Sequence, residues 1–261
     1  MPSPSSHPKP ALVIVPGACH HPSHYAGLSS RLAAAGYEST TVDLPSTGGG
    51  GDEKPVQTLN PDIETIQHAI RSQLSRGRNV VLIMHSFGGI TGSAAVQGFL
   101  RPTQHEGDFG VGVVKLIYLA GIICEPGRTV LEQGGGAHPP LVHFPLPDPK
   151  DAGWLTFHNP AQTFYAECAP DVQEASVARL RLFSEAPGHD IVPYSGWKDV
   201  DSYYLLCGKD QVLPVSVQQA WISNPSGRWK RVERLETDHS PFLSPPDETA
   251  GFVVRCLEDG S

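Results

Sequence analysis

VVLIMHSFGG (80–89) places five consecutive apolar residues directly before a polar pair and two glycines. A run that short and that continuous suits a strand covered on both faces, because a surface helix would interrupt it with polar positions every turn. The glycines then open a helix at Phe87. Ser86 therefore stands on a tight strand-to-helix turn with its hydroxyl exposed, and the amide of Phe87 points outward from the helix start. A serine in that position either caps the helix or, given a base, attacks a carbonyl. Met84 occupies the place where this turn favours a small residue, so the crossing of strand and helix is expected to be displaced.

Outward from this unit, short apolar runs alternate with helical stretches, the arrangement of an α/β fold in which helices cover both faces of a parallel sheet. ALVIV (11–15) reads as the first strand, and a helix carrying Leu28 and Leu32 ends at Gly36. YESTTVDL (37–44) reads as a strand and PSTGGGGDEKP as a flexible loop. Ile63, Ile66, Ile70 and Leu74 then recur at spacings of three and four, one apolar face of a helix closing at Gly77. VVKLIYLA (113–120), YYLLC (203–207) and WKRVERL (229–235) are further strands, with helices at 215–222 and 247–257. Six parallel strands result. Residues 122–200 break the rhythm with prolines, glycines and aromatics, and only 161–168 and 171–184 look helical. The expected organisation is a loose tail (1–10), a core (11–121 and 201–261) and an inserted cap (122–200).

Nineteen basic residues against 27 acidic ones, a net charge of −8, leave no cluster able to neutralise a run of phosphates, so nucleic acid is not an expected partner. The apolar runs are far shorter than the roughly 18 residues needed to span a bilayer, so no membrane association is expected either. The opening MPSPSSHPKP is unlike a secretory signal, and five cysteines without a CxxC pair fit neither a disulfide framework nor a zinc site. A reducing, cytoplasmic setting and a small-molecule partner are expected. Composition says nothing of oligomeric state.

Serine at its own pKa is a poor nucleophile and needs a base within hydrogen-bond reach. His239, in TDHSPFLSPPDE, is the one histidine of twelve just beyond the last predicted strand. An acid must then fix the imidazole tautomer. Asp210, three residues past YYLLC, is the best-placed carboxylate; Glu125 and Asp238 compete with it. A second oxyanion donor is expected from VPGACHHPSHY (15–25), with Ala18 supplying the amide alongside Phe87 and with Cys19 and His20 on the pocket floor. His20 and His24 are one helical turn apart, but no Glu or Cys completes a ligand set, so neither metal nor cofactor is expected. Trp154, Phe157, Phe164, Tyr165 and Phe183 are the cap aromatics available to a substrate, though a short insertion also needs such side chains to fold.

VPGACHHPSHY, HSFGG, YLAGIICEPGRTV, KDQVLP and DHSPFLSPPDETA together resemble the small cap-bearing α/β-hydrolases: pyrethroid-hydrolase-type esterases, plant methylesterases and hydroxynitrile lyases. The likeness runs from about residue 11 to 258. It implies a triad of Ser86, Asp210 and His239 with oxyanion amides at Ala18 and Phe87. The usual HG of the oxyanion loop is PG here. Hydroxynitrile lyases carry a lysine directly after the triad histidine, and Ser240 in that place argues against cyanohydrin cleavage. The resemblance implies a serine hydrolase acting on a small, largely apolar ester or lactone through an acyl-enzyme. The alternative is a triad enzyme performing cyclisation, lysis or acyl transfer on a secondary metabolite; a binding protein that has lost turnover is disfavoured by the complete triad.

Overall fold

A computed structural model describes residues 8–49, 53–101, 110–144 and 153–259. In chain order the elements are β1 (Ala11–Val15), α1 (Ala26–Ala34), β2 (Ser39–Thr41), β3 (Thr47–Gly48), α2 (Asn60–Leu74), β4 (Val80–His85), α3 (Gly88–Ala95) and β5 (Val113–Leu119). They continue with α4 (Val130–Gln133), β6 (Val142–His143), β7 (Trp154–Phe157), α5 (Pro160–Tyr165), α6 (Pro170–Val177) and β8 (Leu182–Ser184). The last are β9 (Ser202–Cys207), α7 (Val215–Ile222), β10 (Trp229–Leu235) and α8 (Pro246–Glu258).

Six strands pair in parallel in the order β10-β9-β5-β4-β1-β2, the sheet that the alternating pattern predicts. Both faces are covered. Ile63, Ile66 and Ile70 of α2 and Ile90 of α3 pack on one side, and Leu28 and Leu32 of α1 with Phe252 and Val253 of α8 on the other. Burial on both faces explains why the central strands read as unbroken apolar runs. The chain leaves β1 for β2 on one side and returns to β4 on the other. The loops after β1 and β4 thus diverge at the switch point, where open parallel sheets bind their ligands.

Three expectations need correction. The strand over 37–44 shrinks to β2, an edge strand pairing only with β1, because Val42 and Leu44 turn inward to the core. The helix over 171–184 stops at Val177, and residues 182–184 run as β8 between β3 and β7. Long-range pairing overrides local propensity there: Phe183 is buried against Phe87, ring centroids 4.7 Å apart. The loop at 45–55 is likewise partly ordered, since Thr47 and Gly48 supply β3; residues 50–52 lie outside the described residues, as do 1–7 of the expected tail. With β6 and β7, these segments form a second, antiparallel four-stranded sheet above the carboxyl end of the first.

Met84 packs against α3 at Gly92. A Cβ added at Gly92 would lie 2.6 Å from the Met84 sulfur, so the missing side chain of Gly92 holds the space that Met84 fills.

Near the amino end of β5, half-buried Lys115 donates to the carbonyl oxygens of Cys256 (2.7 Å), Leu257 (2.9 Å) and Asp259 (2.6 Å), which close the end of α8. A cation there satisfies orphan carbonyls and complements the helix dipole. Lys115→Met is expected to lower unfolding free energy by about 2 kcal/mol, the scale of a charged hydrogen-bond set lost from partial burial. Urea denaturation reads this directly, and an unchanged midpoint at equal slope would contradict it.

Candidate active site

The candidate residues follow the carboxyl ends of four strands: Ala18, Cys19 and His20 after β1, Ser86 and Phe87 after β4, Asp210 after β9 and His239 after β10. After β4, Ser86 takes φ +50, a left-handed conformation that a non-glycine residue holds only when its surroundings impose it. They do so here: its amide donates to Leu119 (3.3 Å), and its carbonyl accepts from Gly89 and Ile122 (2.9 Å each). The strained turn lifts the side chain off the sheet into a cavity of about 400 Å³.

After β10, His239 is fully buried, and its Nδ1 lies 2.7 Å from Asp210 Oδ2. A carboxylate only accepts, so Nδ1 carries the proton and Nε2 keeps its lone pair. That Nε2 is buried with no hydrogen-bond partner among the described residues. Its ring lies 4.8 Å from that of His85, the neighbour of Ser86.

Asp210 is itself held from three sides. Oδ1 accepts from the amides of Val212 and Leu213 (2.8 Å each), and Oδ2 accepts from Gln218 Nε2 (3.2 Å). Gln218, wholly buried on α7, also binds both backbone groups of Cys207. Sequence reading missed it: two adjacent glutamines occupy that helix, and only the packing shows which one faces inward. The competing carboxylates are engaged elsewhere. Glu125 pairs with Lys198 Nζ and Asn224 Nδ2, both at 2.5 Å. Asp238 accepts from the amides of Glu167 (2.8 Å) and Ser240 (3.0 Å), and burial pushes its carboxyl up to about 6.

Ala18 and Phe87 line the same cavity as Ser86, and neither amide donates to an acceptor among the described residues. Two unspent N–H groups beside a serine are what a developing oxyanion requires. Of the seven residues expected to contact substrate, Phe157 and Phe183 line the cavity. The other five stand behind its wall. Cys19 and His20 are buried beneath the loop, with His20 bonded to Ala18 O (2.8 Å) and Tyr165 Oη (3.1 Å). Phe164 and Tyr165 form a small core with Cys168, and Trp154 is buried in β7. Most of the rest of the lining is apolar, with Val130, Leu131 and Val142 of the insertion and Val217 and Trp221 of α7, while His138, Glu185 and Gln211 add polar groups. The spacing of Val217 and Trp221, one turn apart, is the signal that could have found them.

Among the described residues, one group brings potential metal ligands together: His138 and His189 both approach Glu185 Oε1, the former at 3.0 Å. His138 and Glu185 line the same cavity as Ser86. All five cysteines are buried and free. No helix among the described residues is long and apolar enough to cross a membrane.

A model of the alpha/beta hydrolase family matches residues 12–252, and the chain belongs to that family. It is 31% identical to alpha/beta hydrolase nvfD of Aspergillus novofumigatus over 97% of both chains. It is 24% identical to methyl jasmonate esterase 1 of Vitis vinifera, over 95% of this chain and 97% of that one. The crystal structure of polyneuridine aldehyde esterase shares the fold, with a TM-score of 0.73 at 20% identity, covering 97% of this chain and 99% of the other.

Proposed function

We propose that this protein is a serine esterase or lactonase for small, largely apolar substrates, with Ser86 as nucleophile, His239 as general base and Asp210 as the acid that orients it. The observation that carries this reading is the Asp210–His239 Nδ1 bond of 2.7 Å, together with a buried Nε2 that has no hydrogen-bond partner among the described residues and a serine held at φ +50 on the turn after β4. His239 takes the Ser86 proton as the hydroxyl attacks the ester carbon. The tetrahedral oxyanion then settles against the amides of Ala18 and Phe87. Collapse expels the alcohol, which recovers the proton from His239, and water repeats the sequence to free the acid. Relatives named as hydrolases and esterases support the same reaction class.

The insertion between β5 and β9 serves as the cap, since Val130, Leu131, Val142, Phe157 and Phe183 close one wall of the cavity. A wall of that kind selects apolar or aryl acyl groups and offers little to a highly charged one. The test is labelling with a serine-directed phosphonate alongside a panel of aryl esters. Labelling with turnover is expected; labelling without turnover would favour a non-hydrolytic triad enzyme, and absence of both would defeat the assignment.

The reaction also fixes a pH dependence. His239 accepts a proton only as neutral imidazole, so kcat/KM falls as pH drops and the ring becomes charged, and it levels off above that range. A profile flat from about pH 5 to 9, with chemistry shown to limit the rate, would exclude a histidine base.

A further inference from the structure

Three buried hydrogen bonds join the oxyanion loop to the histidine loop through two side chains that the triad does not use. The amide of Gly17 donates to Tyr25 Oη (3.0 Å), Tyr25 Oη contacts His85 Nδ1 (2.8 Å), and His85 Nε2 contacts the backbone oxygen of His239 (2.9 Å). Tyr25 is wholly buried and His85 is 1% exposed, so water does not compete for these groups. Only one proton arrangement satisfies the chain. An amide can only donate, so Tyr25 accepts from Gly17; a carbonyl can only accept, so His85 carries its proton on Nε2. The bare Nδ1 then takes the hydroxyl proton of Tyr25. The ring must be neutral for this, and burial holds His85 well below the usual histidine range.

Every link touches the proposed site. Gly17 precedes Ala18, whose amide faces the cavity, and His85 precedes Ser86. A Cβ at Gly17 would lie 2.7 Å from His85 Nδ1 and 2.8 Å from Ser86 Cβ, so the oxyanion loop rests directly on the turn that holds the nucleophile. Tyr25 stacks on Phe242 at 4.3 Å, which prevents the phenol from swinging away. The carbonyl at the far end belongs to His239 itself. We propose that Tyr25 and His85 are positioning residues for acyl transfer, a proton-ordered strut that sets the Ala18 amide, Ser86 and His239 at fixed separations. The inference rests on the esterase reading above.

Such a strut matters most when the oxyanion forms, because amide-to-oxyanion bonds tighten only in the transition state. Its loss should therefore appear in kcat and leave KM nearly unchanged. Tyr25→Phe keeps the ring and removes the link, and His85→Gln removes the Nδ1 acceptor from the other side. Each variant is expected to lower kcat on an aryl ester by about 10- to 100-fold, less than the roughly 100- to 1000-fold that follows direct loss of an oxyanion donor. KM should stay within about twofold, and the double variant should be little worse than the more impaired single one, as for two parts of one chain. An aryl trifluoromethyl ketone, whose adduct with the serine mimics the tetrahedral intermediate, should bind more weakly by the factor that kcat falls. A purely structural role would lower the melting temperature without that parallel.

The measurement is made well below each variant's melting temperature, with wild type and Ser86→Ala alongside. Wild-type kcat in either folded variant, a loss confined to KM, or failure of both variants to fold would overturn the proposal. If wild type neither takes a phosphonate nor hydrolyses any aryl ester, the esterase reading itself fails and takes this inference with it. A labelled, active wild type matched by Tyr25→Phe defeats the strut alone.

Discussion

Replacing Ser86 or His239 with alanine is expected to lower turnover of an aryl ester by on the order of a thousandfold or more, with the double variant no worse than either single one. The non-additivity follows from the geometry. Nε2 of His239 has no hydrogen-bond partner among the described residues, and the proposed mechanism gives it only the Ser86 proton to take, so without Ser86 the base has nothing to deprotonate. Without His239, the serine keeps its proton at neutral pH and attacks only at the rate of a neutral hydroxyl. What survives in every variant is the contribution of the cavity and of the amides of Ala18 and Phe87, which act on the substrate whether or not the nucleophile is activated. Single-turnover measurements separate the two sources, since binding to the apolar cavity should persist in both variants. A near-wild-type rate in either one, on the same ester, would remove the assignment.

The elements that were legible in the sequence are those whose stability is local or two-sided. β1 and β4 are buried on both faces and so appear as apolar runs, and α2 declares itself by four apolar residues on one face. Ser86, Asp210 and His239 could be picked out because a parallel sheet delivers all its strand ends to one side, which makes position after a strand a spatial statement. The insertion resisted reading because its order is long-range. β3 is two residues long and pairs with β8, more than a hundred positions further along the chain. The same applies to the pocket. Trp154, Phe164 and Tyr165 look like substrate contacts by residue type, yet all three are buried outside the cavity lining, Phe164 and Tyr165 in a small core with Cys168, while Val130 and Leu131 of α4 and Val217 and Trp221 of α7 meet the cavity. The Tyr25–His85 link was invisible for a further reason: it joins residues 60 positions apart, one in the segment after β1 and one at the end of β4, with no periodicity to relate them.

The choice of acid yields the other large effect. Asp210→Asn is expected to cost about a thousandfold to ten-thousandfold in kcat, by analogy with the serine-protease triad, whereas Glu125→Gln should cost less than about tenfold. Asparagine keeps the shape of Asp210 but can turn its amide towards His239, which would then present the bare Nδ1 and place its proton on Nε2, the wrong nitrogen for a base. The charge that steadies the imidazolium is lost as well. The surroundings favour that outcome, because the amides of Val212 and Leu213 both donate to Oδ1 and so hold the asparagine oxygen there, leaving the NH2 to face the ring. Glu125 lacks any comparable hold on the site. Its carboxylate is taken by Lys198 and Asn224, and the segment that carries it leads away into the insertion. Losing that ion pair, in which both side chains are about one-third exposed, should cost at most about 1 kcal/mol of stability and little turnover. Both substitutions are to be measured on one ester, with folding checked by circular dichroism. A severe loss for Glu125→Gln with a mild one for Asp210→Asn would reverse the assignment, and it would require His239 to leave a 2.7 Å bond to reach a carboxylate already held by a lysine.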